Sequence, residues 1–300
     1  MGVWGPQNKD GAFIFTFDNL GEPGEIEQGV WPKDEPFGNH PSVFKTLPFI
    51  LDVLRRNDFK TTFFVEGWTA DRYPDAVESI AKDGHEVACH AYCHETWYRL
   101  SESDQEALLT KATKAFTKIG IQPTGFRMPG AISSEFAEKL ALSMGYRYVS
   151  PVGGVAGTRN GLGIIPVALK AVDIAYYLPV VAGHFAHPDV DPDAPDWERM
   201  IDGFRRTRED TLAAKDCQSL TCHVTTPLNT PEREAAFEKL VVDLKSDERV
   251  WSPTMGEAAE WMLAQPEKFP TPEMRKFGDD FDPTAMNDTF REKAADSLRQ

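Results

Sequence analysis

The sequence predicts an α/β fold, in which a parallel sheet or barrel is covered by helices in a single domain. Strand-like apolar runs and helix-like segments alternate over about the first 260 of the 300 residues, a spacing typical of β–α–β units. Several apolar runs end in polar residues, at the strand ends where parallel folds build their sites. We therefore expect a domain over residues 1–264 and an extended arm over the proline-rich, charged segment 265–300.

Local signals support each element in turn. Predicted strands are short apolar runs, whereas predicted helices begin near Ser, Thr or Pro and often end at Gly. The expected order is strand 11–18, helix 41–58, strand 60–67, helix 73–84, strand 85–90, helix 101–120, strand 123–130, helix 133–145, strand 146–150, helix 196–215, strand 219–224, helix 230–247, strand 249–252 and helix 254–264. A loop rich in Gly and Pro fills residues 21–40, and no internal repeat is found.

The charge of the chain argues against polyanionic partners. A formal net charge of −15 repels nucleic acid and anionic membrane surfaces. No run of 18 apolar residues predicts a membrane span, and the first residues do not resemble an export signal, so we expect a cytoplasmic protein. In that compartment the four cysteines are expected to be free thiols. The acidic tail favours a homo-oligomer.

Reactive side chains follow separate predicted strands. Asp18 and Asn19 end the first strand, His90 and His94 follow the third, and His223 ends a late one. Arg127 lies just beyond another strand, before a Pro-Gly turn. Each of these features alone has an ordinary structural explanation, such as a core histidine or a surface ion pair. Their combination at strand ends is more specific.

The spacing of His90 and His94 predicts a metal site. Residues four apart lie on one side of a helical turn, so both imidazoles can reach one cation. An oxygen ligand from another strand would complete the set and leave positions open for water and substrate. A haem attachment site is excluded, because three residues rather than two separate Cys89 from Cys93. Strand alternation places Cys89 opposite His90, in the core.

Four motifs together resemble the polysaccharide deacetylase, or NodB-homology, family of carbohydrate esterases. They are TFDN (16–19), GHEVACHAYCH (84–94), RMPG (127–130) and, more loosely, LTCH (220–223). The resemblance covers roughly residues 12 to 260, and its second and third motifs are the most specific.

This resemblance implies an irregular (β/α) barrel that holds a divalent metal, usually zinc. It implies that His90 and His94 bind the metal, that Asp18 is the general base and that Arg127 orients Asp18. His223 would be the general acid that protonates the leaving amine. Further candidates for substrate contacts are Pro129 and Gly130 of the third motif, together with His184 and Trp197. For His184, as for His187, the role of an ordinary loop residue is favoured over substrate contact.

The chain departs from the family pattern at two points. The second aspartate of the first motif, a metal ligand in the family, is here Asn19, whose neutral oxygen binds divalent ions more weakly. The aspartate that tunes the acid histidine is not evident from the motifs. Asp173 is one candidate, and Asp193 and Asp196 are others.

The function that these residues predict is hydrolysis of a carbon–nitrogen bond other than a peptide bond, by a metal-dependent de-N-acylase acting on an N-acylated sugar. A second possibility is a hydrolase of small cyclic amides or imides, as in the allantoinase-like branch of the family. The absent export signal and the long loop over 19–40, which could cap a small pocket, favour this reading. A third is a non-catalytic carbohydrate-binding protein, which Asn19 suggests.

Overall fold

Parallel strands form the centre of the protein. The computed structural model describes residues 3–177, 185–226, 228 and 230–274. The strands are β1 (Gly11–Asp18), β2 (Thr62–Val65), β3 (Glu86–Cys89), β4 (Gly125–Phe126), β5 (Tyr148–Val149), β6 (Gly157–Arg159), β7 (Leu162–Ile164), β8 (Val167–Val172), β9 (Cys217–His223) and β10 (Val250–Trp251).

Helices connect most of these strands and cover the outside of the sheet. They are α1 (Pro23–Gln28), α2 (Leu47–Arg56), α3 (Gly67–Arg72), α4 (Pro74–Lys82), α5 (Glu102–Lys118), α6 (Glu135–Ser143), α7 (Ile174–Tyr177), α8 (Asp196–Ala214), α9 (Pro231–Ser246) and α10 (Met255–Leu263). The helices predicted from capping residues are confirmed: Ser101, Ser134, Thr230 and Thr254 each accept a backbone N–H of the first turn.

The sheet curls into an irregular barrel, which confirms the predicted fold class. Its order is β6-β7-β5-β4-β3-β2-β1-β9-β8, with β10 also paired to β1, and only the β6–β7 pair is antiparallel. A bridge between Val152, just after β5, and Val167 of β8 joins the two sides. There Val167 N donates to Pro151 O at 2.8 Å and Gly153 N donates to Val167 O at 3.0 Å.

Strand β1 lies within the sheet, between β2 and β9, and is buried along its whole length. Its outward side chains pack under the helices, where the rings of Phe17 and Phe63 stack at 4.7 Å. The side chains on its inward face change from apolar to polar along the strand. Ile14 packs in an apolar cluster that contains Tyr148 and Met255, whereas Thr16 and Asp18 are buried polar groups. The barrel therefore has an apolar floor and a polar upper layer at the carboxyl ends of its strands.

Several segments differ from the sequence prediction: the predicted loop over 21–40 contains α1, and α3 forms over Gly67–Arg72, where no helix was predicted. The chain forms strands β6 to β8 and helix α7 between residues 150 and 177, where no element was predicted. These strands are short, but their Asn160-Gly161 turn, with both residues at positive φ, is the pair that favours a tight hairpin. The helix predicted over 41–58 begins instead as a π-turn, Ser42–Thr46. Pro48 lacks an N–H and crowds the preceding turn, which favours this wider start.

The first part of the predicted arm lies against β6. Pro270 O accepts a hydrogen bond from Thr158 N at 3.0 Å, and Pro272 O accepts one from Arg159 Nη1 at 2.6 Å. Residues 275–300 of the predicted arm lie outside the described residues. The boundary at 264/265 stays a prediction. Within the described ranges, no helix is both long and apolar enough to cross a bilayer.

His85, in the turn between α4 and β3, should make stability depend on pH. Its ring is buried beside Phe63, and neither ring nitrogen has a hydrogen-bond partner. Burial, assisted by the charge of Lys60, lowers its pKa to about 4. The pKa is thus depressed in the folded state, so its contribution to stability is present above about pH 6.5 and is lost as pH falls toward about 4.

We expect His85→Phe to reduce the loss of unfolding free energy between about pH 7 and about pH 4 by roughly 2–3 kcal/mol. Urea denaturation of both proteins at the two pH values measures the difference. The acid-sensitive contributions of His90 and His94 are present in both and cancel. Parallel pH dependence of wild type and variant would contradict the expectation.

Candidate active site

Four strand ends meet at the polar end of the barrel. Asp18 of β1 and His223 of β9 are direct partners in the parallel register. Cys89 of β3 pairs with Phe126 of β4, so His90 and Arg127 follow at the same level. Parallel strands place their carboxyl ends at one edge. The structure therefore brings the candidate residues of all four motifs together.

Arg127 is buried inside the barrel and connects its strands. Its Nη1 donates to Asp18 Oδ1 at 2.6 Å, and the guanidinium lies over the ring of Phe64, 3.9 Å from its centroid. The guanidinium also reaches hydroxyl groups of β1, β9 and the segment after β5: Nη1 lies 2.9 Å from Thr16 and 3.2 Å from Thr221, Nη2 lies 3.0 Å from Ser219, and Nη2 and Nε lie 3.0 and 3.1 Å from Ser150. A planar fork with five donors suits this arrangement, so Arg127 holds Asp18 in one orientation.

His90 and His94 lie close together but not on a helical turn, so the helical part of the prediction is wrong. The segment after β3 is a turn in which Ala91 and His94 have left-handed backbones, with φ of 61° and 60°. The two imidazole centroids are nevertheless 5.1 Å apart. Non-glycine residues in this conformation cost free energy and cluster at functional sites. Asn19, with φ of 59°, has the same conformation at the end of β1.

Both histidines are in the protonation state that binds metals. Loss of hydration lowers the pKa of His90 and of His94 to about 3, so both rings are neutral near pH 7. His90 Nδ1 donates to the backbone oxygen of Arg127 at 2.7 Å, which leaves the Nε2 lone pair free. That Nε2 is 4.0 Å from Asp18 Oδ2.

Asn19 offers a third donor. Its Oδ1 is buried and has no hydrogen-bond partner in the described part of the chain, a state that buried polar atoms rarely adopt without a ligand or water. No group of three His, Cys, Asp or Glu side chains surrounds one point among the described residues. This finding agrees with a set in which the third donor is an amide. Two neutral imidazoles and one unpaired amide oxygen fit a divalent metal such as zinc.

His223 forms a pair with Asp173, at the junction of β8 and α7. His223 Nδ1 donates to Asp173 Oδ1 at 2.6 Å, and His223 N donates to Asp173 Oδ2 at 2.7 Å. Burial opposes the charged imidazolium, but Asp173 outweighs burial and raises the pKa of His223. Nε2 is the nitrogen left to exchange a proton. Of the three aspartates considered from the sequence, Asp173 contacts His223, whereas Asp196 forms an ion pair with Arg233.

We expect Asp173→Asn to lower the pKa of His223, because the carboxylate charge is lost while burial remains. A pH titration of the imidazole signals by NMR measures the shift, which should be at least about one unit. Asp196→Asn is the matched control and should leave the signal unchanged. A His223 pKa that is equal in Asp173→Asn and wild type would refute this role of Asp173.

The predicted substrate contacts have different surroundings. Pro129 is buried and Gly130 is exposed in a turn after β4, closed by Ala131 N donating to Met128 O at 2.7 Å. Trp197 is half-buried in the first turn of α8. His184 lies outside the described residues, and its neighbour in sequence His187 is buried, with Nε2 3.3 Å from Asp210. Contacts of these residues with a substrate remain predictions.

Sequence reasoning missed the hydroxyl groups that bind Arg127. The signal was present, because alternate residues of a strand share a face: Thr16 with Asp18, and Ser219 and Thr221 with His223. It also missed Glu66, at the carboxyl end of β2. This side chain is fully buried, and burial raises the pKa of Glu66 well above its usual range.

Part of the chain matches the model of a known protein family. Residues 37–149 match the family model for polysaccharide deacetylase. Over this span the chain is similar to the polysaccharide deacetylases. The matched span contains the histidine pair and Arg127, whereas Asp18 and His223 lie on either side of it. The resemblance inferred from the motifs is thereby confirmed.

Some known proteins are similar to part of this sequence, and others have a similar fold. A peptidoglycan-N-acetylglucosamine deacetylase of Listeria monocytogenes is 34% identical over 108 residues, which are 35% of this chain and 23% of that protein. The chain thus spans only about a quarter of that relative. A Mycobacterium smegmatis protein assigned to the polysaccharide deacetylases superposes with a TM-score of 0.74 at 23% identity, over 93% of this chain and 98% of that one. An allantoinase superposes with a TM-score of 0.68 at 16% identity, over 88% and 94%.

Proposed function

We propose that this protein hydrolyses the amide bond of N-acetylated sugars with a divalent metal, zinc being the first candidate. One observation supports the proposal above all. An aspartate held by a buried arginine faces a histidine–aspartate pair across two neighbouring strands, beside two neutral histidines. This arrangement joins a proton acceptor, a proton donor and metal-binding groups at one end of the barrel.

The residues would hold the metal and move protons as follows. His90, His94 and Asn19 would hold the ion, which when bound supplies polarisation of the acyl oxygen and acidifies a water molecule. The Asp18 carboxylate accepts a proton from the attacking water, while Arg127 keeps it oriented. His223 Nε2 donates a proton to the leaving nitrogen. The C–N bond breaks as the C–O bond forms, giving a carboxylic acid and an amine.

The test is release of acetate from N-acetylated glucosamine oligomers by the purified protein. Release that depends on added zinc and stops with a chelator is the expected result. No release from a panel of N-acetylated oligosaccharides, with zinc bound, would overturn the sugar substrate. We also propose a cytoplasmic location, which fractionation of the source cells tests.

A second candidate function is hydrolysis of small cyclic amides. The similarity of this fold to that of an allantoinase is compatible with such a function. The segment that favours it is the loop over 19–40, which packs closely on the site. Glu27 Oε1 accepts from Thr96 N and Oγ1 at 3.1 and 2.8 Å, and Phe37 contacts Trp68 edge-on at 5.7 Å. A loop packed at this position would leave less room at the site for a polymer than for a small amide. Turnover of hydantoins without acetate release would select this candidate.

A third candidate is a carbohydrate-binding protein without activity. It would be selected if the protein bound no zinc, cobalt or nickel and released no product from either panel, yet still bound sugar oligomers.

A further inference from the structure

Glu66 lies between the two strand ends that carry the candidate metal donors. Its Oε2 accepts a hydrogen bond at 3.2 Å from the backbone N of Leu20, the residue after Asn19. On its other side, the residue before it, Val65, accepts from His90 N at 2.8 Å. Glu66 is thus held beside Asn19 by one contact and beside His90 by strand pairing.

Among the residues that the structure describes, the remaining carboxylate oxygen of Glu66 has no partner. Oε1 is buried without a hydrogen bond, and the side chain is 0% exposed. An unpaired buried carboxylate is energetically costly unless a cation or a proton compensates it. Neighbouring Glu95 differs, because its carboxylate accepts from the backbone N of Tyr92 and of Cys93 at 3.1 and 2.9 Å.

The charges around the site make a second, independent point. The three candidate metal donors His90, His94 and Asn19 are all neutral. The Asp18 carboxylate is already paired with the Arg127 guanidinium at 2.6 Å, so their formal charges cancel. Glu66, whose Oε1 has no partner among the described residues, therefore adds negative charge beside these neutral donors.

We propose that Glu66 supplies the negative charge that stabilises a divalent cation held by His90, His94 and Asn19. This inference rests on the metal site of the proposed function. Glu66 does not join the two histidines in a three-residue group around one point in the described part of the chain, so it acts through its charge rather than as one of three ligands. The cation would bind the orphaned Asn19 Oδ1 directly and would offset the charge of the orphaned Glu66 Oε1 from nearby.

Zinc titration of the metal-free full chain by calorimetry tests the proposal without measuring activity. Glu66→Gln removes the charge and keeps an oxygen that can accept from Leu20 N. We expect its zinc Kd to rise about 10- to 100-fold, the usual effect of losing a group that supports metal ligands. Restoring a carboxylate next to it, in the double variant Asn19→Asp with Glu66→Gln, should return the Kd to the wild-type value or below.

The matched control is Glu86→Gln, at the opposite end of the neighbouring strand β3. Glu86 is half-buried, and it accepts from Thr62, Tyr148 and Gly256, so its variant should bind zinc like wild type. An unchanged Kd in Glu66→Gln, with binding lost in His90→Ala, would overturn this inference alone and identify Glu66 as a neutral acid. Absence of zinc binding by wild type, or full binding by His90→Ala, would overturn the proposed metal site and this inference with it.

Discussion

Replacing Asp18 by asparagine is expected to lower turnover about 10²- to 10⁴-fold, the range that a general base contributes. The amide has the same shape and still accepts a hydrogen bond from Arg127 Nη1, now 2.6 Å from Asp18 Oδ1. It cannot take a proton from water near neutral pH. Zinc binding should persist, because the donors we assign to the metal are His90, His94 and Asn19.

Initial rates at saturating zinc, with calorimetric zinc affinity on the same samples, separate the two effects for Asp18→Asn. Asp216→Asn is the matched control. Asp216 precedes β9 at the opposite end of the barrel, where it accepts from Ala156 N at 3.0 Å, and its variant should turn over substrate normally. Wild-type turnover by Asp18→Asn would remove Asp18 from the role of base.

Replacing Arg127 by methionine should reduce the free energy of unfolding by about 3–5 kcal/mol, the usual effect of breaking a buried ion pair. Methionine fills much of the same volume. Methionine cannot donate hydrogen bonds. The Asp18 carboxylate and the hydroxyl groups of β1, β9 and Ser150 therefore lose their donor inside a layer that water does not reach. The loss is large because Arg127 is 1% exposed, so water cannot replace these bonds.

Urea denaturation measures the effect, and two further variants show its origin. Arg127→Lys keeps the charge but not the five-donor fork, so it should lie between wild type and Arg127→Met. Ser150→Ala removes a single acceptor and should cost about 1 kcal/mol. A loss below about 1 kcal/mol in Arg127→Met would show that the buried network does not stabilise the barrel.

The residues that carry the site were predictable because they follow local rules. Strand-like runs end at Asp18, His90 and His223, and parallel strands bring their carboxyl ends to one edge. The Pro-Gly turn after Arg127 and the capping serines mark element ends in the same local way. The fold class therefore followed from alternation, and the register of β1 with β9 confirmed that Asp18 and His223 are neighbours.

Sequence alone left the turn that carries His90 and His94, and the partners of the charged groups, undecided. Spacing of four suggested a helical turn for His90 and His94, but Ala91 and His94 adopt left-handed backbones that local propensity disfavours and packing imposes. The sequence did not distinguish Asp173 from Asp196 as the partner of His223. The pairing of β8 with β9 places Asp173 beside His223. Such pairings join residues far apart in the chain.

By itself, the sequence determined the fold class, the candidate reactive residues and the strand ends at which they lie. The tertiary structure decided which aspartate supports His223, how Arg127 is held, and that Glu66 stands unpaired beside Asn19. The physical reason is that strand and helix signals act over a few residues. Burial, charge and hydrogen bonding in the upper layer depend on how distant strands meet inside the barrel.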